Sequence, residues 1–124
     1  MFTKKAMMLA LTATLISATS ALAASPVQKS IEALFAEKAQ LNGKQVQIKG
    51  KVAKVTNGVM KKNFLHLQDG TGKEGTNDLT VTSQDTAQIG DEVIVTGVVA
   101  TDLDFGGGYT FPLIVQDATV KKAK

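Results

Sequence analysis

Two ten-residue segments constrain this chain more than any other feature. Gly43-Lys-Gln-Val-Gln-Ile-Lys-Gly-Lys-Val52 and Gly90-Asp-Glu-Val-Ile-Val-Thr-Gly-Val-Val99 share the pattern G-x-x-V-x-[IV]-x-G-x-V, 47 residues apart. In the first, Val46, Ile48 and Val52 alternate with Gln45, Gln47, Lys49 and Lys51, the period of a strand with one wet face. Each segment enters from a glycine turn and carries a second glycine near its centre, where a strand bulges or coils sharply. Two copies are too few for a stacked repeat array. Two equivalent bent strands are what a small closed barrel needs.

The same period continues downstream. Leu65 and Leu67 alternate with Phe64, His66 and Gln68, and Leu79 and Val81 alternate with Asp78, Thr80 and Thr82. Val93, Val95 and Val99 run through a strongly apolar strand, and Tyr109 to Val120 is a fifth stretch, interrupted by Pro112. Asn57-Gly58, Asp69-Gly70, Gly90-Asp91 and Gly106-Gly107-Gly108 supply the turns. Upstream, Val27, Ile31, Leu34, Phe35 and Leu41 recur at helical spacing. Ser25 as cap, Pro26 at the first helical position and Gln28 closing a capping box predict a helix from about Pro26 to Gln40, ended by Asn42-Gly43. The expected fold is mainly β, a five-stranded Greek-key barrel of the OB type with an N-terminal helix. Ser83 to Ile89 leaves room for only one turn between the third and fourth strands, so the N-terminal helix is expected to close the barrel bottom.

The phrases VQIKGKVAKV, FLHLQDGTG and IGDEVIVTGVV resemble the OB-fold superfamily, in the branch often labelled nucleic-acid-binding. The resemblance covers about Gly43 to Val120 and implies a fold rather than a ligand. NFLHLQDGTG followed by DLDFGGGYTFP also looks like small periplasmic OB-fold proteins that accompany multihaem nitrite or sulfite reductases. That resemblance implies a role in metal handling or cofactor assembly.

Ahead of the helix, Met1 to Ala23 reads as a secretory signal. Lys4 and Lys5 precede a 13-residue uncharged stretch from Ala6 to Ala18, and Ala21-Leu22-Ala23 places small residues where a signal peptidase cuts. Cleavage is expected between Ala23 and Ala24, giving a periplasmic or secreted protein. The apolar stretch falls short of the roughly 20 residues that span a bilayer, so no membrane anchor is expected. The chain then divides into a signal at 1–23, a helix at 24–42 and a barrel at 43–124. All 14 basic residues are lysine, and the net charge is +3. Two of those lysines lie in the signal, leaving 12 against 11 acids and a net charge of +1.

The chain has no cysteine and one histidine. Disulfides, thiolate metal sites and thiol nucleophiles are therefore excluded, as is a zinc site built from several histidines. One methionine, Met60, follows the signal, and it stands six residues from His66 with Phe64 between. If the chain is extended from Met60 to His66, all three share one face. A thioether and an imidazole beside an aromatic ring suit copper(I). The set is similar to that of periplasmic OB-fold copper(I) chaperones, which use methionines, a histidine and a tryptophan. This chain has one methionine where those proteins have two, and Phe64 in place of the tryptophan. Asn63, the mature N-terminus or a partner would add a donor. The competing reading is an outward histidine and a loop methionine packing locally.

OB folds usually meet ligands on the face of strands two and three, between the loops joining strands one–two and four–five. Those loops are expected at about Thr56 to Asn63 and Asp102 to Gly108, with Phe64, Gln68, Phe105 and Tyr109 lining the face. No acid lies between Glu37 and Asp69, and Lys49, Lys51, Lys61 and Lys62 beside Phe64 could track a polyanion such as single-stranded nucleic acid. The absence of arginine weakens base readout, and a solvated strand face is the alternative. Asp69 to Asn77 lacks the pattern of a phosphate loop and reads as a flexible hairpin. Asp102 and Asp104 offer too few oxygens for Ca²⁺. No catalytic constellation emerges. The expectation is an exported, non-enzymatic, monomeric or weakly associating binding or accessory module, with copper(I) as its first ligand class. Polyanion binding and docking of a protein partner are the alternatives.

Overall fold

The structure, a computed structural model, describes residues 25–123. The expected signal and its cleavage point lie outside the described residues. The elements are β1 (Val27–Gln28), α1 (Ile31–Ala36), α2 (Lys38–Leu41), β2 (Gln45–Val59), β3 (Lys62–Gln68), β4 (Leu79–Ser83), β5 (Glu92–Asp104) and β6 (Thr110–Lys122). They form one mixed sheet in the order β1-β2-β3-β4-β6-β5, and β2 pairs with β5 as well. Hydrogen bonds therefore run in a ring through β2 to β6. Pairing is antiparallel except for β1 with β2 and β4 with β6.

The two echoing segments pair with each other. Gln45 to Lys51 lies antiparallel to Val98 to Glu92, so Val46 faces Gly97 and Gly50 faces Val93. Gly97 is a close-approach position. A Cβ there would lie 2.7 Å from Val115 Cγ1 and 2.8 Å from the Gln116 carbonyl oxygen. The ladder from β5 to β6 slips between Thr96 and Val98, and β5 then leaves β2 and continues with β6 alone. Pro112 sits in β6 ahead of its first pair with β4, at Ile114. With one neighbouring strand at that point, proline is tolerated and β6 runs through it unbroken.

Alternate residues of β2 to β6 fill the core. Ile48, Leu65, Leu67, Val81, Val95 and Val115 are fully or almost fully buried. Ile31, Leu34 and Leu41 of the helices join the same cluster and plug the barrel.

The N-terminal region departs from expectation. The sheet has six strands, and the helix begins five residues later than predicted and is split at Glu37. Val27 and Gln28 pair in parallel with Val46 and Gln47 instead of entering a helix. The cap is Ser30, whose hydroxyl accepts from Ala33 N at 3.1 Å. Asp69 Oδ2 accepts from Ile31 N at 2.9 Å, and Thr71 Oγ1 from Glu32 N at 3.0 Å. The capping signal at Ser25 thus yields to ladder bonds offered by β2 and to a cap supplied from the β3–β4 loop. The same contacts correct the flexible-hairpin reading of that loop, because its first residues hold the helix N-terminus.

Candidate functional site

The β2–β3 connection is a two-residue turn, tighter than the expected loop from Thr56 to Asn63. Val59 pairs with Lys62, and Met60 and Lys61 take φ of 52° and 63°. Two successive left-handed residues match the right-handed twist of the flanking strands, at a cost in strain for side chains other than glycine or asparagine. Asn63 secures this tip. Its Oδ1 accepts from Gly58 N at 3.0 Å, and its Nδ2 donates to the carbonyls of Gln84 and Asp85. Asn63 is therefore engaged in holding the hairpin rather than presented as a ligand.

Beside the hairpin lies a cleft of about 280 Å³, lined by Lys54, Thr56, Val59, Met60, Phe64, His66, Tyr109 and Phe111. Leu65 and Leu67 turn into the core, so Phe64 and His66 take the opposite face of β3. Across the β2 ladder, Lys54 faces His66 and Thr56 faces Phe64. Phe64 and Phe111 form one cluster with Phe105, with ring centroids 5.8 Å apart for Phe64–Phe105 and Phe105–Phe111, and 6.2 Å for Phe64–Phe111. Lys62 Nζ sits 5.6 Å from the Phe105 centroid, within cation–π reach.

His66 Nδ1 and Asp78 Oδ1 are hydrogen-bonded at 2.7 Å, and Gln68 Nε2 donates to Asp78 Oδ2 at 3.2 Å. Met60 is 43% exposed and Tyr109 57%, whereas Phe64 is buried beneath them. The loop carrying Tyr109 is closed by Phe105 N to Tyr109 O and Tyr109 N to Gly106 O. Its three glycines, Gly106 to Gly108, all have positive φ.

Met60, Phe64, His66 and Tyr109 thus meet in one cleft, with Phe105 packed behind Phe64. Met60 arrives there through the turn and not through strand alternation, since the chain is not extended at Met60 and Lys61. Gln68 points to Asp78 and does not line the cleft. The four lysines expected to track a polyanion do not gather. Lys49 and Lys51 open onto a separate depression with Asp69 and Glu92. Lys61 is at the hairpin tip, on the order of 25–30 Å further along β2 at the usual rise per residue, and Lys62 lies against Phe105. Lys54, Thr56, Phe111 and Asp78 were not anticipated as site residues. Matching Leu67 with Leu79 across the β3–β4 hairpin places Asp78 diagonal to His66, and alternation from Tyr109 reaches Phe111.

Among the described residues, no three or more of the side chains His, Asp and Glu are grouped to hold a metal. The cleft offers one thioether and the His66 Nε2, with no carboxylate among its lining residues. This donor set suits a soft, low-charge ion.

No protein-family profile matches the chain, and no curated protein matches its sequence. Solved structures do match its shape. "OBody AM2EP06 bound to hen egg-white lysozyme" aligns with a TM-score of 0.51 at 16% identity, over 68% of this chain and 84% of that one. "OBody AM3L15 bound to hen egg-white lysozyme" gives 0.51 at 15% identity, over 68% and 85%. An asparaginyl-tRNA synthetase of Entamoeba histolytica, in complex with asparaginyl-adenylate, gives 0.52 at 16% identity, over 81% of this chain but only 25% of the synthetase. At these identities the likeness is one of fold, and the fold is of the OB kind.

Proposed function

We propose that the chain is a non-enzymatic binding module, acting outside the cytoplasm, whose cleft holds copper(I) for metal carriage or metallo-enzyme assembly. The observation that carries this reading is the convergence of Met60 and His66 on one cleft floored by Phe64. Both soft donors of the barrel, brought from a strained turn and a strand, border the same space beside an aromatic face. The Met60 sulfur and the His66 Nε2 would hold the ion. Copper(I) supplies redox-capable cargo and no chemistry of its own in this cleft. Two donors leave the ion partly open, as a carrier that passes its cargo on requires.

The test is anaerobic titration of the purified protein with copper(I) against a competing chelator. One ion per chain is expected, with affinity lowered at least tenfold in both Met60→Ala and His66→Ala. Equal binding by wild type and both variants would sink the reading.

Polyanion binding is the second reading. It is favoured by the aromatic cluster with Lys54 and Lys62 beside it, and the synthetase neighbour is compatible with it. A single-stranded oligonucleotide should then bind with an affinity that falls steeply with salt and collapses in Phe64→Ala. Absent or salt-independent binding removes it.

A further inference from the structure

We infer that Asp78 is a positioning residue for the cleft. It sets the tautomer of His66 and turns the Nε2 lone pair toward the space that Met60 borders. The inference rests on the copper(I) reading for its functional meaning, but its structural content stands apart from the metal.

A neutral imidazole carries its proton on one nitrogen and a lone pair on the other. The carboxylate of Asp78, 2.7 Å from Nδ1, accepts a hydrogen bond from a proton held on Nδ1 and so leaves Nε2 bare. Asp78 is itself held, because Gln68 donates to its other oxygen. The two supports come from different places. Gln68 stands two residues beyond His66 on the same face of β3, and Asp78 lies at the end of the β3–β4 loop, just ahead of β4. The ring is therefore fixed from two elements, while its far edge remains in the cleft.

Charge adds a second effect. His66 lies between Lys54, opposite it on β2, and Asp78, on the β4 side. The Asp78 carboxylate offsets the Lys54 ammonium and strengthens the imidazole as a donor, the usual action of a carboxylate behind a metal-binding histidine. No other carboxylate contacts the ring among the described residues.

The test uses Asp78→Ala and Asp78→Asn with two readouts. The first is the ¹⁵N chemical shifts of the His66 ring nitrogens in the metal-free protein at about pH 8, where free imidazole is neutral. Wild type is expected to show a protonated Nδ1 and a bare Nε2. Asp78→Asn, which keeps an acceptor oxygen, should retain that pattern, and Asp78→Ala should lose it. The second readout is copper(I) affinity, expected to fall by about 10–100-fold in Asp78→Ala and by less in Asp78→Asn. A wild-type ring protonated on Nε2 overturns the inference. So does an Asp78→Ala variant with unchanged tautomer, or with unchanged affinity while His66→Ala loses binding. If wild type binds no copper(I) yet the tautomer follows Asp78, the metal reading fails and the positioning of the ring stands.

Discussion

Gly97 lies directly opposite Val46 in the ladder between β2 and β5, where the ladder from β5 to β6 slips and the pairing with β2 is about to end. Its counterpart across the internal echo, Gly50, lies opposite Val93. The two are not equally constrained. A Cβ at Gly97 would meet Val115 Cγ1 at 2.7 Å and the Gln116 carbonyl oxygen at 2.8 Å, whereas at Gly50 the nearest atom, the Gln68 carbonyl oxygen, is 3.1 Å away. Gly97→Ala is therefore expected to destabilise the barrel by about 1–3 kcal/mol. Gly50→Ala should change stability by no more than about 1 kcal/mol, since reduced freedom of the unfolded chain offsets a mild contact. Urea denaturation of both variants checks the difference; equal effects would contradict the close approach at Gly97.

Thr82 and Ser83 are adjacent, buried and opposite in consequence. The Thr82 hydroxyl is buried without a hydrogen-bond partner. The Ser83 hydroxyl donates to the Ala118 carbonyl and accepts from Asp85 N. Thr82→Val should raise stability by about 1 kcal/mol, because it removes an unsatisfied polar group. Ser83→Ala should lower it by about 1–2 kcal/mol, because it strands two partners. Thermal melts that rank the variants the other way would show that the Thr82 hydroxyl has a partner in solution.

Asp69 gives the barrel an acid-sensitive joint. Burial raises its pKa, but hydrogen bonds from the Thr71 hydroxyl, the Ile31 amide and the Thr71 amide together outweigh burial and hold it below the ordinary value of 3.8. A carboxyl whose folded pKa is depressed stabilises the fold above the unfolded pKa and loses that effect as pH falls through the folded value. Asp69→Asn is expected to cost about 1 kcal/mol at neutral pH, by weakening the α1 cap. The gap from wild type should close below about pH 4 as the wild-type carboxyl is protonated. Denaturation midpoints of both proteins between neutral pH and pH 3 give the comparison, and a gap independent of pH would exclude the charged cap.

Lys61 completes a turn that glycine would make with less strain. Lys61→Gly should stabilise the hairpin by about 1 kcal/mol while leaving Met60 in place. A destabilised Lys61→Gly variant would show that the lysine side chain contributes more to the tip than its backbone costs.

The sequence carried the barrel because its signals were redundant. Alternation, paired glycines and turn residues all pointed to the same strands, and the echo at Gly43 and Gly90 marked two segments that prove to be neighbours. The helix start was less legible. Ser25, Pro26 and Gln28 satisfy a local capping rule, but the bonds that decide their conformation come from Gln47, and those that cap α1 come from Asp69 and Thr71. Such partners lie roughly twenty to forty residues away, beyond any local pattern. The cleft was half visible. Met60, Phe64 and His66 stood out by scarcity and spacing, whereas Lys54 and Asp78 enter only through the registers of two ladders. Counting lysines along the chain suggested one basic track, but the length of β2 separates them.

The ring of strands has one more consequence, for the order of events in folding. β6, thirteen residues long, bonds to both β4 and β5 and follows them in the chain. Until it is in place, β4 and β5 each carry a bare edge, open to pairing with any other extended segment. A growing chain therefore stays unsealed while β2 to β5 are made, and the barrel latches when β6 arrives.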